Sequence, residues 1–171
     1  MRTIEIQLYK FDELSENAKQ NALNKYCDIN VYHDWYEFTF DDAKEIGLKI
    51  DSFDLDRNRH ATGKFLIAAN EVAQNIFNNH GENTETYKTA ASFMEDWQPI
   101  FNDYMNEDSE NYECNDLEDQ MNDLENDFLK SLLEDYSILL QNECEFLQSE
   151  EAIKETILCN DYDFTANGKI Y

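Results

Sequence analysis

Hydrophobic periods of two and of three to four succeed one another along the chain. Residues 3–9 (TIEIQLY) alternate Ile4, Ile6 and Leu8 with polar neighbours, the pattern of a half-buried strand. After Leu14 the period lengthens. Ala18, Ala22, Leu23 and Tyr26 share one helical face, and Ser15 is placed to cap the first turn. A second helix is predicted over about 33–46, with Trp35, Phe38, Thr39, Ala43 and Ile46 inward and Gly47 as its left-handed stop. Alternation returns over 48–55 (LKIDSFDL), with an irregularity between Ile50 and Phe53. Residues 61–67 (ATGKFLI) read as its paired strand, running on into a helix that ends near Gly81.

Beyond Gly81 the pattern is helical. One segment covers Glu82–Trp97, and Pro99 is expected to break or kink it because it lacks an N–H donor. A short turn follows around Ile100–Met105, then a polar loop over 106–115 (NEDSENYECN). A long helix runs from about Asp116 to Gln148, on the order of 50 Å. Leu117, Met121, Leu124 and Phe128, continued by Leu132, Tyr136, Leu139 and Leu140, form a seam suited to another helix or to a second copy of the chain. A short helix over 150–160 precedes a tail in which Asn167-Gly168 signals a turn, and the tail reads as a strand returning to the N-terminal sheet. The expected fold is a helix-rich α+β domain: a scaffold over 1–81, an acidic helical part over 82–160 and a tail strand over 161–171.

Composition narrows this picture. Hydrophobic residues make up 42% of the chain and aromatics 13%, too much for a disordered acidic tail. With only four Gly and one Pro, a compact all-β protein is disfavoured. Cys27, Cys114, Cys144 and Cys159 form no C-x-x-C pair and no leader is legible, so free thiols in the cytoplasm are expected. The apolar runs fall far short of a bilayer span, and so acidic a chain is repelled by anionic lipid.

Charge changes the picture most. The net charge is −25. Residues 1–80 hold 9 Lys/Arg against 14 Asp/Glu, and residues 81–171 hold 4 against 24. Between Lys88 and Lys130 there are thirteen carboxylates and no basic residue. Solubility asks for a net charge of only about 2–8 in magnitude, so the excess points to a basic partner. On a helical projection Glu118 and Glu125 flank Leu117 on one side, and Asp116, Asp119, Asp123 and Asp127 occupy the other side and outer face. These six carboxylates fall within roughly 18 Å, about one per 3 Å, against one phosphate per about 3.4 Å of a DNA strand. The loop adds Glu107, Asp108, Glu110 and Glu113, with Tyr112 as an aromatic anchor; Phe101 fits ordinary core packing better. The expected partner is thus a basic nucleic-acid-binding protein, with no direct binding of nucleic acid or membrane.

Chemistry is hard to place. Asp54-Leu55-Asp56-Arg57-Asn58 opens like a calcium loop, but Arg59 stands where Gly is needed and Phe65 where Glu is needed. Asp54 and Asp56 are instead expected to cap or to pair with Arg57 and Arg59. His33, His60 and His80 lack metal-ligand spacing, and no phosphate loop or nucleophile elbow occurs. No cofactor, no metal and no enzymatic activity are expected.

The run Tyr9, Phe11, Glu13, Leu14, Ser15, Ala18, Lys19, Ala22 resembles the opening of a group of uncharacterised proteins encoded by phages and mobile elements of low-GC bacteria. Ile46-Gly47-Leu48, Phe53–Arg57 and the closing Asn-Gly-Lys-Ile-Tyr are similar to theirs too. The resemblance covers about half the chain, leaves out 82–160 and implies an origin without an active site. Small, acidic proteins of that origin are similar in profile to anti-restriction and anti-CRISPR inhibitors. The function expected is inhibition of a bacterial defence nuclease, a CRISPR effector foremost, by nucleic-acid mimicry. The alternatives are a homodimeric adaptor whose acidity serves solubility and a divalent-metal enzyme.

Overall fold

A computed structural model of the protein describes residues 5–106 and 113–171, with six α-helices and one two-stranded sheet among them. The helices are α1 (Glu16–Lys25), α2 (Glu37–Glu45), α3 (Ala69–Asn79), α4 (Glu85–Asn106), α5 (Glu113–Leu147) and α6 (Glu150–Cys159). The strands β1 (Leu48–Asp54) and β2 (His60–Phe65) pair antiparallel. This is the helix-rich α+β class. The chain divides by packing into residues 36–141 and a second unit made of 1–35 and 142–171. The charge pattern changes at 81, inside the first of these units, so charge and packing partition the chain differently.

In the unit 36–141, Ala43 and Ile46 of α2, Leu48 and Ile50 of β1, and Val72, Ala73 and Ile76 of α3 share one core with Ala90 and Phe93 of α4 and Phe128, Leu132 and Tyr136 of α5. Gly47 ends α2 at φ +94°, a conformation costly for any residue with a Cβ. The expected irregularity in β1 is a one-residue bulge: Ile50 pairs with Gly63 and Ser52 with Thr62, leaving Asp51 over. The bulge turns Phe53 inward, where its ring meets Tyr36 and Phe40.

Three expectations change here. The second helix starts at Glu37, and its buried face is set by Phe40, Ala43 and Ile46. Phe38 lies roughly 200° round from Phe40 and is 84% exposed rather than inward. The helix expected over 82–97 begins at Glu85 and runs unbroken past Pro99 to Asn106. Phe93, Trp97 and Phe101 repeat at i, i+4, i+8, and the Trp97 and Phe101 rings stack at 4.5 Å on either side of the proline. That packing offsets the ~3 kcal/mol a mid-helix proline costs. Of the expected capping or pairing at Asp54 and Asp56, the capping holds, as Asp54 accepts the Asp56 amide at 2.8 Å, but Arg59 pairs with neither and reaches Glu134 and Ser137 instead.

In the second unit, Phe11, Leu14, Ala18 and Ala22 pack with Ile153, Ile157 and Phe164. Ser15 caps α1 by accepting the Ala18 amide, and Ser149 does the same for α6 through Ala152. The strand expected over 3–9 is not formed in its described part. Tyr9 makes a single two-way bridge to Phe164, both bonds 2.8 Å, and Ile6 is half exposed. Among the described residues 5–9, Tyr9 alone joins a β-bridge. The tail folds back on itself at Gly168 and bridges Phe164 to Ile170; its backbone bridge to the N-terminal segment is at Tyr9, beside the Lys10–Asp163 ion pair at 2.9 Å and the Phe11–Phe164 ring contact.

Candidate partner-binding surface

Helices α4 and α5 run antiparallel and are locked by aromatic faces. Phe93 stacks flat on Phe128 with ring centres 4.2 Å apart and planes within 5°, and Phe65 of β2 closes on Phe128 at 5.5 Å. Along the same pair, Thr89 donates to Asp135 at 2.8 Å and Tyr104 donates to Glu118 at 2.9 Å. The seam of α5 is therefore occupied by its own chain: Phe128, Leu132, Tyr136 and Leu140 are buried, and Leu117, Met121 and Leu124 half-buried. Leu139, expected in the seam beside Leu140, is 46% exposed, because adjacent positions on a helix lie 100° apart.

Burying that seam turns the acids outward. Asp116, Asp119, Asp123 and Asp127 are all exposed and recur once per turn, about 5.4 Å apart. Glu118 is exposed as well and is held toward α4 by Tyr104. Glu125 is half-buried and leaves the exposed face, since it lies one residue from the half-buried Leu124 and three from Phe128. The six-carboxylate count thus becomes a stripe of four with one companion. Its own spacing is about 5.4 Å, sparser than the 3.4 Å of a DNA strand. Phe101 is half-buried and stacked on Trp97, as core packing requires. Glu107, Asp108, Glu110 and Tyr112 lie outside the described residues, and Glu113 is described only as the first residue of α5.

Counter-charge is sparse along this face. Lys130 pairs with Asp127 at 2.8 Å, both groups exposed. That hydrogen bond and the charge of Asp127, with a smaller part from Asp123, raise the Lys130 ammonium above the ordinary lysine range. The helix dipole favours acids only in the first turn, so it does not account for Asp123 or Asp127.

A second polar cluster lies at the edge of the core of the same unit. Asp42 accepts the Tyr136 hydroxyl at 2.7 Å and has His80 Nε2 3.6 Å from its other oxygen. His80 first, and Tyr136 after it, hold the Asp42 carboxyl below its usual range against the effect of burial. His80 Nδ1 lies 2.7 Å from the Thr86 hydroxyl, so carboxylate, imidazole and hydroxyl line up in the order of an acyl-transfer triad. The protons run the other way. Thr84 gives its proton to the Gly81 carbonyl and Thr86 gives its own to Thr84, so the Thr86 proton is not directed at the imidazole. Thr86 is 4% exposed. The cluster is wired to hold helices together. Sequence reasoning missed it because Asp42, His80 and Tyr136 come from three separate helical stretches with no local motif.

Among the described residues, no three of the His, Cys, Asp or Glu side chains gather to hold a metal ion, and no helix is long and apolar enough to cross a membrane. Comparison with known proteins finds no matching family model, no matching curated protein and no matching solved structure.

Proposed function

We propose that this protein is an inhibitor of a bacterial defence nuclease, of phage or mobile-element origin, with a CRISPR effector as the expected target. The acidic face of α5 occupies the basic channel in which that enzyme holds nucleic acid. One observation carries the reading: Asp116, Asp119, Asp123 and Asp127 stand exposed in a single stripe on a helix fixed from behind by the Phe93–Phe128 stack, with Lys130 as its one paired cation among the described residues. Rigid backing matters because a preorganised row of carboxylates pays less entropy to meet Lys and Arg than flexible side chains would.

The stripe is sparser than a phosphate backbone, which fits contact with selected Arg and Lys side chains better than replacement of a whole strand. Binding is then salt-sensitive and competitive with DNA or guide RNA. The test is capture of the target from lysate of the natural host, followed by the Asp119→Asn/Asp123→Asn/Asp127→Asn variant. Inhibition that survives this triple change rules out the acidic face as the contact.

A further inference from the structure

Next to the Phe93–Phe128 stack, α4 and α5 leave an open groove of about 220 Å³. Its lining repeats at i, i+3, i+4, i+7 on both helices: Thr89, Ser92, Phe93 and Asp96 from one, Leu124, Asp127, Phe128 and Ser131 from the other. Each helix thus supplies one carboxylate, at least one hydroxyl and one Phe. The volume is below the roughly 300–1,000 Å³ of pockets that take drug-sized ligands or cofactors, so a single side chain is the better-matched occupant.

We propose that this groove is a receptor for one arginine side chain of the basic partner. The inference rests on the acidic-face reading above, and Asp127 belongs to both. An aliphatic stem suits the apolar floor of Leu124 and the two Phe side chains. A guanidinium carries five donors in a planar fork, which suits carboxylates and hydroxyls placed on opposite walls. It is also more weakly hydrated than an ammonium, so it enters an aromatic-floored groove at lower cost than lysine. Thr89 is already committed to Asp135, which leaves Ser92, Ser131, Asp96 and Asp127 as acceptors. The Lys130–Asp127 pair is solvent-exposed and gives way to a better-placed donor.

The experiment uses the full ¹⁵N-labelled chain titrated with hexaarginine and with hexalysine. The groove predicts a preference for hexaarginine of roughly tenfold, the size of one good charge-assisted contact. Amide shifts are expected to centre on residues 92–96 and 124–131. Ser131→Leu, which fills the groove without touching a charge, is expected to bring hexaarginine down to the hexalysine level. Asp96→Asn serves the same purpose should Ser131→Leu fail to fold. Equal binding of the two peptides, or indifference to both variants, overturns the groove. In that case loss of hexalysine binding in Asp119→Asn/Asp123→Asn still supports the acidic face; if neither peptide binds, both readings fall.

Discussion

Tyr136 and Asp42 meet across 94 positions of sequence, the fully buried phenol of α5 donating to a partly exposed carboxylate of α2 at 2.7 Å. This bond ties α2 to the helix that carries the acidic stripe. Burial, and after it the Asp42 contact, pushes the Tyr136 phenol far above its usual range. The sign follows: the unfolded phenol ionises at about pH 10 while the folded one stays protonated, so stability is lost as pH rises past that point. Tyr136→Phe is expected to cost about 1.5–3 kcal/mol at neutral pH, the range for a hydrogen bond to a charged group. It should also flatten the alkaline limb of stability. Denaturant unfolding at pH 7 and pH 10.5 reads both effects.

Asp135 carries the opposite balance. Burial raises its carboxyl, the Thr89 hydroxyl partly restores it, and Glu85 and Glu134 push it up again. A raised carboxyl favours the protonated folded form, so the charged residue weakens the fold at neutral pH and this cost fades as pH falls. Asp135→Asn keeps an acceptor for Thr89 and removes the charge. We expect a gain of a few tenths of a kcal/mol at pH 7, after discounting for solvent screening, and none at pH 4. A loss at pH 7 contradicts this balance.

Arg59 shows what the local pattern could not reach. Its guanidinium spends donors on Ser137 at 3.1 Å, Gln141 at 2.9 Å and Glu134 at 3.0 Å, one turn after another of α5. The fork matters more than the charge, so Arg59→Lys is expected to cost about 1–2 kcal/mol and lower the melting temperature measurably. If Arg59→Lys melts with the native chain, the pair with Glu134 alone is sufficient.

Arg59 also marks the limit of sequence legibility. Ser15, Gly47 and the β1 bulge were readable because each acts within a few residues: a cap to N3, a left-handed stop, an extra residue in an alternating strand. Phe38 and Pro99 were misread because tertiary packing chose among local options, setting the face of α2 and holding α4 through its proline. Of the acidic face, the positions were legible from helical spacing, and Glu125 was not, because its burial depends on what covers Leu124 and Phe128. The groove was not legible at all. It needs the antiparallel register of α4 against α5, which no single helix encodes.

That register exposes the stripe to its own repulsion. Asp119–Asp123 and Asp123–Asp127 are like-charge pairs at i, i+4, each destabilising by about 0.2–0.5 kcal/mol, and only Asp127 has a cation beside it. The spacing of about 5.4 Å is shorter than the Debye length of about 10 Å at 0.1 M salt, so the repulsion is little screened there. Asp119→Asn/Asp123→Asn should therefore stabilise the fold by roughly 0.5–1 kcal/mol at low salt, a gain that shrinks toward 1 M. The same change should weaken binding to the basic partner and lessen its dependence on salt. The two measurements decide between roles for the stripe. A variant that is more stable and binds less shows stability given up for recognition, whereas one that is more stable and binds equally leaves the stripe to solubility alone.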